Sequence, residues 1–158
     1  MQDLAAKIDH LRPCYDAREW LSQQTDPQQA WNDCPRGDWM LWLIGKHIKS
    51  EPWSDDRKPF LACCLDCAAT VSHLWPAATA EAVAALRQWI AGECDVETAK
   101  MARLKLWSAA AAAAAYAAYA ADADAAAADA AHAAARTQNR AATAAIVRKH
   151  YPEPPPCT

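Results

Sequence analysis

Asp129 and His132 stand three positions apart. On a helix that spacing puts a carboxylate and an imidazole on one face, a workable pair of metal ligands. Asp122 could add oxygens to such a site. A di-metal bundle, however, needs carboxylates and histidines on facing helices, and no other segment offers a matching pair. A metal-dependent enzyme is therefore carried only as an alternative, and no metal or cofactor is expected. Cys63, Cys64 and Cys67 form a second cluster, in which Cys64-Leu65-Asp66-Cys67 spaces two thiols by two residues. A structural zinc site would need a second such pair, but Cys14, Cys34, Cys94 and Cys157 are isolated. A redox motif would follow a strand, and none is expected. The clustered thiols read as small apolar core residues. No serine, histidine and acid arrangement marks a nucleophile, and the three glycines stand alone, so no phosphate loop exists. No catalytic residue is assigned, and the chain is read as a non-enzyme.

Binding chemistry has better candidates. The segment Cys34-Pro35-Arg36-Gly37-Asp38-Trp39-Met40-Leu41-Trp42-Leu43 is the most distinctive in the chain. Asp38 reads as an N-cap for a helix whose tryptophans fill the core, and Arg36 can pair with Asp38 or another acid. Alternatively, Arg36, Asp38 and Trp39 lie on a surface loop presenting arginine and tryptophan, both favoured at binding hot spots. Asp122, Asp129 and Arg136 recur every seven residues, and His132 and Arg140 fall within roughly a quarter-turn of the same helical line. That stripe either solvates the helix or faces a partner.

The elements that must position these residues are helical. The chain has 158 residues, a formal net charge of −3, 41 alanines, eight tryptophans and three glycines. Sparse glycine and sparse β-branched residues disfavour hairpins and parallel sheets. The mild acidity excludes a strongly basic nucleic-acid binder. An odd cysteine number, and acids near the start where a leader peptide needs an apolar run, predict reduced thiols and a cytoplasmic location. The longest strongly apolar run, Trp39–Ile44, is too short to cross a bilayer.

Proline, glycine and capping signals divide the chain. Helices are expected over Gln2–Leu11, Tyr15–Gln23 (Trp20 and Leu21 inward) and, after the Asp26-Pro27 start signal, up to Pro35. Trp39–Ile44 is apolar all round and predicts a buried central helix. Asp55 and Asp56 open the cysteine helix. Thr79 would cap a helix through Ile90 that Gly92 stops, and Asp95 begins the last part, with Val96, Ala99, Leu104 and Trp107 inward. From Ala109 to Ala135, 21 of 27 residues are alanine, the best helix former. One helix over 95–136 would run roughly 60 Å, beyond the roughly 35 Å width of a compact domain this size. It therefore bends or meets a partner, and alanine faces permit close helix approach. Tyr116 and Tyr119 are expected to pack on another helix, within the chain or across a homodimer. Thr137-Gln138-Asn139 is the expected interruption before a final helix from Arg140 to His150. Residues 152–158 read as an extended, mobile proline-rich tail. The expectation is thus an all-α single domain over 1–151, with six to eight helices and a long alanine-rich C-terminal helix or helix pair.

A tryptophan-bearing helix, Ala-Trp-Asn-Asp-Cys-Pro-Arg-Gly-Asp-Trp-Met-Leu-Trp-Leu, a cysteine-rich helix, the alanine tract and a closing Ile-Val-Arg-Lys-His-Tyr together resemble the immunity-protein-five-like family of bacteria and their phages. The resemblance spans about Trp20 to Tyr151, and its specific part is Cys-Pro-Arg-Gly-Asp-Trp. It implies an all-helical cytoplasmic inhibitor that binds and neutralises a protein toxin or effector, without catalytic residues. The alternative from another class is a phage counter-defence protein that sequesters a nucleotide signal or blocks a host nuclease. A deep pocket lined by Arg, Lys and Trp would favour that alternative.

Overall fold

The computed structural model describes residues 4–70, 72–74, 77–104 and 125–156, with backbone only for residues 74 and 125–137. The fold is all-α, and no strand occurs among the described residues. The helices are α1 (Leu4–Ile8), α2 (Tyr15–Ser22), α3 (Pro27–Asp33), α4 (Gly37–His47), α5 (Lys58–Ala69), α6 (Ala77–Ala91), α7 (residues 96–104) and α8 (Ala125–His150). The chain divides into two compact units, Met1–Ser50 with Arg140–Thr158, and Glu51–Asn139. No described helix is long and apolar enough to cross a membrane.

The first unit is built from α1–α4 and the last turns of α8. Asp26 caps α3 as its sequence indicates: its Oδ1 accepts from Gln29 N at 2.7 Å, ahead of Pro27 in the first turn. Trp31, buried, anchors α3. Arg148 Nη1 donates to Cys34 O at 2.9 Å, satisfying a carbonyl at the α3 C-terminus, where a cation is also favoured by the helix dipole. Ala144 and Val147 of α8 are fully buried. Ala144 meets Gly37, where even a methyl group would collide with α8 backbone. Alanine and glycine thus bring α4 and α8 together more closely than larger side chains allow.

In the second unit α5, α6 and α7 enclose Leu65, Leu86, Trp89 and Ala99, flanked by Trp53 and Ile90. Trp53 meets Trp89 edge-on, with ring centres 5.4 Å apart. Gly92 ends α6 at φ +77°, a left-handed conformation in which glycine carries no Cβ penalty. Gly92 N donates to Trp89 O and Glu93 N to Gln88 O, the paired bonds that close a helix C-terminus. Asp95 Oδ1 accepts from Thr98 N at 2.7 Å and caps α7.

Several expectations change. Helix α4 begins at Gly37, with Arg36 at the N-cap and no side-chain cap. Asp38 lies inside the first turn and bonds Arg36 instead. Only Gly37, Met40 and Ile44 of α4 are buried, while Trp39, Leu41, Trp42 and Leu43 are half-buried. Helix α6 starts at Ala77, two residues before Thr79. Leu104 is 62% exposed rather than inward. Helix α8 continues through Thr137-Gln138-Asn139 without a break. These residues keep their backbone N–H and cost only a few tenths of a kcal/mol each in a helix. The Asn139 amide, moreover, stands 2.6 Å from the Thr70 hydroxyl instead of competing for its own backbone. The proline-rich tail is held where it begins: Gln28 Nε2 donates to Pro152 O at 2.9 Å, next to the bond from Trp31 Nε1 to Tyr151 O at 2.8 Å. Tyr116, Tyr119, Asp122 and Trp107 lie outside the described residues.

Candidate binding surface

Helices α1–α4 leave a cleft whose walls are almost wholly apolar. Trp20, Trp31, Trp39 and Trp42 line it, and Pro154 of the tail closes one side. The four tryptophans come from α2, α3 and α4. Trp39 and Trp42 are three apart and share one face of α4. Trp20 packs against Trp39 at a tilt of 48°, with ring centres 6.2 Å apart. The cleft retains about 70 Å³ of empty space, small beside the roughly 300–1,000 Å³ of ordinary ligand pockets. It has no basic side chain in its wall.

The charged groups stand above the rings. The Arg36 guanidinium lies 4.5 Å from the Trp39 ring centre, and Lys46 Nζ lies 5.7 Å from that of Trp42. Both are within cation–π range. Arg36 is fixed from the other side by Asp38, with Nε to Oδ1 at 3.0 Å and Nη2 to Oδ2. Asp16 is 3.9 Å from Nη1. This two-pronged hydrogen bond holds the Asp38 carboxyl below the usual carboxylate range, and Arg140 adds to the effect. A guanidinium stacked on a ring and held by a carboxylate has already lost most of the rotamer freedom that binding would otherwise remove.

One polar atom of this surface is left over. Trp39 Nε1 is buried and finds no acceptor among the described residues, whereas the Trp31 indole in the same cleft bonds the tail.

The structure therefore brings Arg36, Asp38 and Trp39 together. Asp129, His132 and Arg136 lie on α8, with their side chains outside the described residues, as is Asp122 entirely. Among the described residues no three His, Cys, Asp or Glu side chains cluster to hold a metal. The thiols of α5 are packed: Cys63 is fully buried. Its bond with Cys67 raises the Cys63 thiol and lowers that of Cys67. Burial pushes Cys64 up to about 11. Sequence reasoning missed the docked tail and the role of Gln28. The available signal was the pairing of a proline-rich end with helices rich in tryptophan.

A second hollow of about 400 Å³ lies in the other unit beside Trp53, Lys100, Arg103 and Leu104. Arg103 stands 5.9 Å from the Trp53 ring centre, and Lys100 Nζ is paired with Glu97 at 2.7 Å.

No protein-family model, curated protein or solved structure matches this chain.

Proposed function

We propose that this protein is a non-enzymatic inhibitor that binds a protein toxin or effector through the Arg36–Asp38–Trp39 surface and neutralises it by covering its working face. The arrangement that carries the reading is Arg36, stacked on half-buried Trp39 and held by Asp38. Arginine and tryptophan dominate interface hot spots, and a preset side chain loses less entropy on docking. Cytoplasmic action and freedom from cofactors belong to the same proposal.

The test is association with the product of the neighbouring gene, followed by truncation at the surface. Arg36→Ala and Trp39→Phe should each weaken binding at least tenfold, about 1.4 kcal/mol, with the helical spectrum unchanged. Full binding by both variants, together with loss in an Asp122→Lys/Asp129→Lys double variant, would move the partner face to the alanine-rich helix.

A second reading, capture of a nucleotide signal, draws on the hollow beside Trp53. That hollow combines an aromatic face with Arg103 and Lys100, a pairing suited to a base and its phosphates. Calorimetric titration with cyclic and linear nucleotides tests it, and Arg103→Ala should remove any binding seen.

A further inference from the structure

We propose that the tryptophan cleft is a docking groove for an extended proline-rich segment of a partner protein, and that the chain's own tail is the occupant this partner displaces. The inference rests on the binding-protein reading above and names the chemistry of the partner.

Four of the five residues from Pro152 to Pro156 are proline. Proline fixes φ and biases the residue before it towards extended backbone, so such a run has little conformational freedom to lose. An extended proline-rich backbone forms no hydrogen bonds within its own helix, so its carbonyls are recognised by donors from outside it. The groove supplies those donors at helical spacing. Gln28 and Trp31 are three apart on α3 and share one face. They donate to the successive carbonyls Pro152 O and Tyr151 O, at 2.9 and 2.8 Å. Beyond these bonds Pro154 lines the apolar cleft together with the tryptophans. An aromatic-walled groove with an indole N–H bonded to a backbone carbonyl, and bordered by proline, is the chemistry by which proline-rich segments are bound in general.

The tail leaves this groove incompletely used. Trp39 Nε1 faces no acceptor among the described residues, although a buried donor without a partner is costly. A longer proline-rich segment would carry further carbonyls past Trp31, and a small turn of the Trp39 ring would offer its N–H to one of them. The tail is tethered, so a partner segment competes with a high local concentration and binds weakly until the tail lets go. This makes the tail an internal competitor that sets the threshold for docking.

The experiment follows the indole N–H resonances of the full-length protein during titration with a synthetic peptide containing Tyr-Pro-Glu-Pro-Pro-Pro repeated twice. A peptide with alanine at every proline is the control. The proline peptide should shift the Trp31 and Trp39 resonances saturably, and the alanine peptide should not. In the full-length variant Pro154→Ser/Pro155→Ser/Pro156→Ser the proline peptide should bind at least tenfold more tightly than in the wild type. Absence of a saturable shift in the wild type, with no gain in the variant or with a variant that fails to fold, overturns the proposal. So does a mass that doubles on concentration and reverts in the variant, which would make a second copy's tail the occupant. Binding of the neighbouring gene product that persists when the peptide fails would overturn this inference alone. Peptide binding without any partner binding would overturn only the inhibitor reading.

Discussion

A Cβ on Gly37 would stand 2.5 Å from both the carbonyl carbon and the Oγ1 of Thr143, and 2.6 Å from Ala144 N. The first turn of α4 is therefore seated directly on α8 backbone, and two of the three atoms in the way cannot rotate aside. Helix propensity and packing make opposite claims here. Alanine in place of glycine inside a helix should stabilise by up to about 1 kcal/mol. Forcing a methyl group into a full contact costs about 1–3 kcal/mol. At these distances the clash wins, and Gly37→Ala should lower stability by about 1–2 kcal/mol in denaturant unfolding. A variant as stable as the wild type, or more so, would show that α4 and α8 are not so closely seated.

Asp26 and Asp38 both read as helix N-caps in the sequence. They differ in what the carboxylate does. Asp26 accepts from Gln29 N as a true cap, so Asp26→Ala should cost about 0.5–2 kcal/mol. Asp38 only pairs with Arg36 at a half-exposed site, so Asp38→Ala should cost under about 1 kcal/mol. Thermal midpoints of the two variants, measured side by side, check the order. A larger loss at Asp38 would reverse the assignment.

The reach of sequence reasoning follows from which signals are local. Asp26-Pro27, Gly92 and Asp95 act within four residues of themselves, and all three mark helix ends where the structure has them. The all-α architecture follows equally from composition. What was not legible depended on distant neighbours. Gly37 reads as punctuation until Ala144 lies against it. Asn139 reads as a breaker until Thr70 engages it. Pro152 begins a tail that reads as free until α3 offers Gln28. Arg36 with Asp38 is intermediate: the two stand two residues apart and their pairing is legible in the sequence, whereas the stacking of Arg36 on Trp39 requires the turn into α4.

Acid should weaken the Arg36–Asp38 pair in a definite direction. The Arg36 hydrogen bonds hold the folded carboxyl below its ordinary value, which in the unfolded chain is roughly 3.9. The stabilisation is therefore complete above that value and is lost as pH falls through the lower, folded one. The carboxylate is half-exposed, so the amount is under about 1 kcal/mol. The stability gap between wild type and Asp38→Asn should be widest near pH 7 and narrow below pH 3, by urea midpoint. A gap that stays constant across that range would mean that the pair contributes nothing that titrates.

The cysteines divide by access, and their reactivity should follow. Thiol reagents attack the thiolate, so both exposure and a low pKa are needed. Cys14 is exposed, whereas Cys34 and Cys63 are buried, and burial also raises the Cys34 thiol. Cys63 is held up further by its bond to Cys67, and Cys64 sits at about 11. Cys67 is pulled down, but it is buried within the helix packing, so its thiolate is not reachable without opening α5. Iodoacetamide at pH 7.5, read by peptide mass mapping, should therefore label Cys14 at least tenfold faster than Cys34, Cys63, Cys64 or Cys67. Denaturant should bring all five to similar rates, because only the fold separates them. Fast labelling of Cys67 in the native protein would instead identify α5 as an open, reactive helix and remove its thiols from the core.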